Sequence, residues 1–177
     1  MDRTFWAMTE PSEWDIDGYR VRMLFTLRTA ARLEQLLQKP WEEIIFEMMQ
    51  TDRDGTQGLP PMAMERQALV VMAVMEEAGE QVTLEQLMGL HMQRFTALAR
   101  AAQAEILLKL PRGSKKKSAG EPWNWGKYLY AAGKVLNMSR TEAMACTPAL
   151  ASELMRAAAG EEEQRVVATP YADVAGW

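Results

Sequence analysis

The chain has 177 residues, 48% hydrophobic and 25% charged, which is enough apolar material for one medium domain or a domain with a small appendage. A formal net charge of -4 and a pI near 5.2 argue against a general nucleic-acid binder, whose surface must be basic to displace counterions. The single cysteine, Cys146, excludes an internal disulfide and fits a reducing cytosol; no apolar run approaches the roughly 20 residues of a membrane span, and secretion is not expected from the N-terminal residues.

Residues 1–12 read as an irregular arm carrying Phe5, Trp6 and Met8. The stretch "EWDIDGYRVRMLFTL" then alternates apolar and polar residues on both sides of Asp17-Gly18, a two-residue hairpin signal because both positions tolerate positive φ. Trp14 and Ile16 share one face, with Tyr19, Val21 and Met23 alternating on the return strand. From Thr29 the period becomes helical, through Ala30, Leu33, Leu37, Ile44, Ile45 and Met48. Pro40 divides this run into helices at 29–38 and 41–50, and "TDRDGTQGLPP" at 51–61 is a loop.

The next helix, "MAMERQALVVMAVMEEAG", stops at Gly79, and its stretch from Leu69 to Met75 is apolar on nearly every side, which predicts a central position. Thr83 with Gln86 forms a capping box that opens one long helix through "LEQLMGLHMQRFTALARAAQAEILLKL", ended by Pro111. The stretch 113–120, "GSKKKSAG", has nothing able to bury surface and reads as a linker. Beyond it Asn124 caps "WGKYLYAAGKVLNM", Ser139 with Glu142 makes a second box, and Thr147-Pro148 opens "ALASELMRAAAG". The predicted fold is mainly α: an N-terminal β-hairpin and helical bundle at 1–112, a linker at 113–122, a small helical module at 123–160 and a flexible tail at 161–177.

Chemistry is sparse. His91 is the only histidine and, with Cys146, falls short of a zinc ligand set. "TDRDG" opens like a calcium loop, but no register supplies the remaining acidic ligands. Phosphate-binding and dinucleotide glycine loops and nucleophile elbows are absent from the sequence. The pairs Glu42-Glu43 and Glu76-Glu77 read as solvated helix faces, and Cys146 as a small buried apolar group. Neither an enzyme nor a cofactor or metal is expected. Residues 131–158 have the rhythm of a helix-turn-helix, yet the second helix begins Pro148-Ala149-Leu150-Ala151, with no base-reading side chain. The 14 methionines either fill a helical core or form a surface that repacks around partners.

Taken in order, these features resemble the tail assembly chaperones of long-tailed bacteriophages. The resemblance covers about 14–158: the hairpin leading into a helix with Leu33-Glu34, the break at Lys39-Pro40, the apolar helix "ALVVMAVMEEAG", the helical stretch to Pro111, and a final module in which Thr147 to Leu154 follows a "T-P-x-L-x-x-E-L" pattern. Met144-Ala145-Cys146 stands where such segments often carry a tryptophan. The resemblance implies a non-catalytic protein of the host bacterial cytoplasm. It would bind a tape-measure protein, keep it soluble, recruit tail-tube subunits and form homo-oligomers, without membrane or nucleic acid. In that setting Lys115-Lys116-Lys117 is what a slippery A-rich codon run joining two modules would encode, beside the plain reading of a solvated linker. The expected partner-binding residues are Met72, Met75, Met88, Met92 and Phe95, with Trp123, Trp125, Tyr128 and Tyr130 for tube subunits. The alternative for these aromatics is a local cluster closing the C-terminal module. Two other functions stand beside the chaperone: a small helical DNA-binding regulator and a structural head-tail or tail component.

Overall fold

The computed structural model describes residues 10–50, 62–111 and 124–167, with side chains described at all of these except 50, 158 and 160–167. The N-terminal arm at 1–9, the expected loop at 51–61, the lysine linker and the tail from 168 lie outside the described residues. The architecture is mainly helical with an N-terminal two-stranded antiparallel hairpin, as the patterning predicts.

Strand β1 (Ser12–Ile16) pairs with β2 (Tyr19–Met23) in the register Ile16↔Tyr19, Trp14↔Val21, Ser12↔Met23. Asp17 and Gly18 take φ of 53° and 83°, the pair of left-handed residues whose twist matches the strands. The Asp15 carboxylate accepts the Gly18 N–H at 2.8 Å, which fixes the turn. Ile16 and Met23 are buried, and the outward residues of both strands are charged.

Helix α1 (Leu27–Leu37) starts two residues earlier than the periodicity predicts. Thr26 caps it, with Thr29 at the third helical position returning the bond through its hydroxyl; a threonine in place of the usual Glu or Gln hides this box from a motif search. Helix α2 (Trp41–Gln50) follows Pro40 as expected, and the Phe25 and Trp41 rings meet at a centroid distance of 5.9 Å. Helix α3 (Met64–Glu77) buries Val70, Val71, Ala73, Val74 and Met75 almost in succession, which is what a helix apolar on nearly all sides requires.

Gly79 ends α3 at φ +88°, where its N–H reaches the Glu76 carbonyl at 3.0 Å and the next N–H, of Glu80, reaches Met75 at 3.0 Å. This is a Schellman closure. A Cβ at Gly79 would meet nothing within 4 Å, so Gly79→Ala isolates the backbone term. Chemical denaturation is expected to show a loss of about 1–2 kcal/mol, with Gly79→Asn losing less.

The single helix expected after Thr83 is two. Helix α4 (Leu84–Met88), opened by the predicted Thr83–Gln86 box, closes at Gly89, and α5 (Met92–Lys109) begins after His91, whose side chain makes no cap. Gly89 has the weakest helix propensity of the run, and its N–H closes back on Glu85. The remaining helices are α6 (Trp125–Lys134), α7 (Arg140–Ala145) and α8 (Pro148–Val167), capped by Asn124, Ser139 and Thr147 as predicted. Helix α8 continues to Val167, past the end expected at 160. The run Glu161-Glu162-Glu163-Gln164-Arg165 consists of good helix formers, which carry the helix into the expected flexible tail.

Two apolar clusters result. The larger joins the hairpin to α1–α5 through Phe25, Leu33, Ile44, Val71, Phe95, Ile106 and their neighbours. The smaller contains Tyr128, Ala132, Ala143, Cys146, Leu150 and Ala151, and is completed by Leu27 from the first turn of α1. The Leu27 N–H also donates to the Cys146 carbonyl at 2.8 Å. The C-terminal helices therefore dock on α1. Glu76 and Glu77 prove not to be a solvated face: Glu77 pairs with Arg28 at 3.5 Å and accepts the Thr26 hydroxyl at 3.0 Å, and Glu76 pairs with Arg32, clamping α3 to α1.

Candidate functional site

Helix α5 has a ridge of Met92, Thr96 and Arg100, successive four-residue steps that stack on one face. A groove lies on each side of it. The first, about 350 Å³, is lined by Met48 from α2, Met64 and Gln67 from α3, and Met92, Phe95, Thr96, Ala99, Arg100 and Gln103 from α5. Its polar side chains are already engaged. Gln67 donates to the Met62 carbonyl at 2.8 Å, Gln103 to the Met48 carbonyl at 3.5 Å, and the Thr96 hydroxyl to the Met92 carbonyl at 2.9 Å. What remains for contact is exposed Met92 and half-buried Met64, over a floor of buried Met48 and Phe95, with Arg100 exposed at the margin. Thioether side chains there can repack against an apolar ridge without demanding one register.

The second groove, about 580 Å³, runs between β1 and α5, lined by Trp14, Asp15 and Ile16 on one side and Met92, Gln93, Thr96, Ala97, Arg100 and Ala101 on the other. At the hairpin end Arg94 lies over the exposed Tyr19 ring, 4.1 Å from its centroid.

The residues expected to bind partners divide sharply in burial. Met88 and Met92 are 41% and 59% exposed, and Tyr130 is 65% exposed. Met75, Phe95 and Tyr128 are core residues, and Met72 packs half-buried against the larger cluster. Phe95 reaches the first groove only as part of its floor. Trp123 lies outside the described residues. Trp125 is half-buried between the two clusters, and its indole N–H donates to Glu34 Oε2 at 3.0 Å. The other Glu34 oxygen accepts the Trp41 N–H at 3.2 Å, so one carboxylate ties α1, α2 and α6 together. Tyr128 donates to the Ala143 carbonyl at 2.7 Å. The aromatic run thus contributes Trp125 and Tyr128 to internal packing and Tyr130 to the surface.

Burial pushes the Tyr128 hydroxyl well above its ordinary pKa and the Cys146 thiol up as well. A thiol held protonated is a poor nucleophile. The Ser139 hydroxyl and N–H hold the Glu142 carboxyl below its usual value, the electrostatic counterpart of the capping box. Among the described residues no group of three or more His, Cys, Asp or Glu side chains could hold a metal ion, and no helix is long and apolar enough to cross a membrane. The first turn of α8, which a helix-turn-helix would present to DNA, is packed inside the smaller cluster, with Ala149, Leu150 and Ala151 buried.

Sequence reasoning missed one ionic site entirely. Glu105 and Lys109 on α5 are 0% and 1% exposed, with Nζ 3.6 Å from Oε1. Lys109 also donates to the Glu10 carbonyl at 2.8 Å, just before β1. Ser12 and Trp14 face the Glu105 carboxyl from the strand, too loosely to satisfy either of its oxygens. Burial dominates and pushes the Glu105 pKa up. The i,i+4 spacing was visible, but such pairs ordinarily sit in solvent, and only the hairpin laid over them buries this one.

Compared with known proteins, the chain matches no family model, no curated sequence and no solved structure, so its function is argued from its own residues.

Proposed function

We propose that the protein is a non-catalytic assembly chaperone that holds a long, mainly helical client, of the kind that keeps a phage tape-measure protein soluble and brings tail-tube subunits to it. The observation that carries the reading is the methionine-lined groove between α2, α3 and α5, with Met92 on its rim and its polar groups internally bonded. An amphipathic helix laid there would bury its apolar stripe against Met64 and Met92, above the buried Met48, the helix-in-groove mode. Leu36, Phe46, Leu107 and Leu108 are exposed as well, and supply apolar surface for homo-oligomers. Among the described residues, exposed Tyr130 is the candidate for a tube-subunit contact. A host bacterial cytoplasm is the setting this role requires.

Co-expression with the long helical open frame expected beside this gene tests the reading. The native protein is expected to move that client into the soluble fraction, and to be missing from purified particles by mass spectrometry. The double variant Met88→Glu/Met92→Glu changes only exposed side chains, so its stability should stay within about 0.5 kcal/mol of native. It is expected to leave most of the client in the pellet. Equal solubilisation by native and variant proteins would refute the groove, and recovery of the protein in finished particles would refute the chaperone.

A further inference from the structure

We propose that the open edge of β1 accepts an extended partner peptide, alternating basic and aliphatic residues, as a third strand of the sheet. The inference rests on the hairpin and is independent of the helical client. Because Ile16↔Tyr19, Trp14↔Val21 and Ser12↔Met23 are the pairs that exchange ladder bonds across a two-residue turn, the N–H and C=O groups of Glu13 and Asp15 point away from β2. The same parity governs β2, where the outward Arg22 N–H donates to Glu80 Oε1 at 3.2 Å. Just beyond, the Leu24 N–H donates to the Val74 carbonyl at 2.9 Å, so that edge is closed. Among the described residues nothing bonds the backbone of Glu13 or Asp15 on the other edge.

The second groove lies along this margin. Trp14, Asp15 and Ile16 point to alternate faces, so one cavity touches all three only by running beside the strand. Its far wall is α5, where Ala97 and Ala101, one turn apart, leave room for side chains. Strand addition between a sheet edge and a helix meets both needs of an extended peptide: main-chain bonds on one side and shallow apolar sites below. Charge selects the occupant. On the outer face Glu13 and Asp15 oppose Arg22 and Arg20 of β2, and a strand on the open side would meet the same two acids. A second copy of β1 would set acid against acid, whereas alternate Lys or Arg would pair. The aliphatic residues between them would fall on Ala97, Ala101 and Met92.

The test titrates the full chain with a fluorescein-labelled blocked peptide of alternating Lys/Arg and Val, about seven residues long to match strand length, read by anisotropy at physiological salt. Saturable binding is expected. It should weaken at least about tenfold when alternate amides on the pairing edge are N-methylated, which keeps charge and composition. Glu13→Pro, tolerable on an edge strand, should weaken the unmethylated peptide similarly with unchanged circular dichroism. Should that variant misfold, the methylated peptide on native protein still decides. Equal affinity for both peptides, or no saturable binding, overturns the proposal. So does a dimer built on the β1 edge itself, seen by gel filtration as one that Glu13→Pro abolishes but the peptide cannot dissociate.

Discussion

Replacing Lys109 by Met is expected to destabilise the protein by about 3–5 kcal/mol at neutral pH, the cost of leaving a buried carboxylate without its cation. Glu105 and Lys109 are both sealed from solvent, and among the described residues the Lys109 ammonium is the opposite charge that acts on the Glu105 carboxyl. The sign of the pH dependence follows. Burial raises the folded pKa of Glu105 above its ordinary 4.5, so the folded state holds that proton more tightly than the unfolded chain does. Its contribution to stability is therefore most favourable below 4.5 and is lost as pH rises through the folded value. Lys109 lowers that value, so removing it raises the pKa further and steepens the loss. Urea denaturation from acid to neutral pH should show the deficit of the variant shrinking as pH falls. The double variant Glu105→Gln/Lys109→Met removes both charges and should recover most of the loss, with a flatter pH profile. A single variant as stable as native at neutral pH would show that water reaches the pair.

Leu27→Ala is expected to cost about 2–5 kcal/mol, and the position rather than the size of the loss is diagnostic. Leu27 sits at the start of α1, yet its side chain completes the smaller cluster with Tyr128, Ala132 and Leu150. Amide exchange should therefore accelerate more across 128–151 than across the α3 core at 70–75. Leu36→Ala on the same helix, exposed, should stay within about 0.5 kcal/mol of native. Uniform acceleration in the Leu27 variant would mean that the two clusters unfold as one cooperative unit.

Local signals in the sequence were reliable where chemistry is local. The Asp17-Gly18 turn, the Pro40 break, the Gly79 closure and the caps at Thr83, Asn124, Ser139 and Thr147 are all where the residues put them, because each depends on neighbours within four positions. The helix break at Gly89 was missed because apolar periodicity continues across it; Leu87 and Phe95 both reach the larger core. The candidate site was less legible. Of the nominated side chains, Met88, Met92 and Tyr130 are well exposed, while Met75, Phe95 and Tyr128 are buried. An aromatic or methionine at helical spacing reads alike whether it faces a core or a partner, and only the packing of other elements distinguishes them. Glu34, Glu76, Glu77 and Glu105 carry the same lesson from the polar side. Glu34, Glu76 and Glu77 bond groups distant in sequence, and the local Glu105–Lys109 pair is buried by the distant hairpin.

The junction at residues 24–27 bears on how the molecule is made. Leu24 is hydrogen-bonded to Val74 and Leu27 to Cys146, so one short segment waits for two stretches that leave the ribosome much later. Synthesis proceeds from the N-terminus, and contacts spanning most of a chain are slow to close. The nascent polypeptide must therefore carry the bare Leu27 side of α1 until its last third has emerged, a period in which it is most exposed to wrong partners.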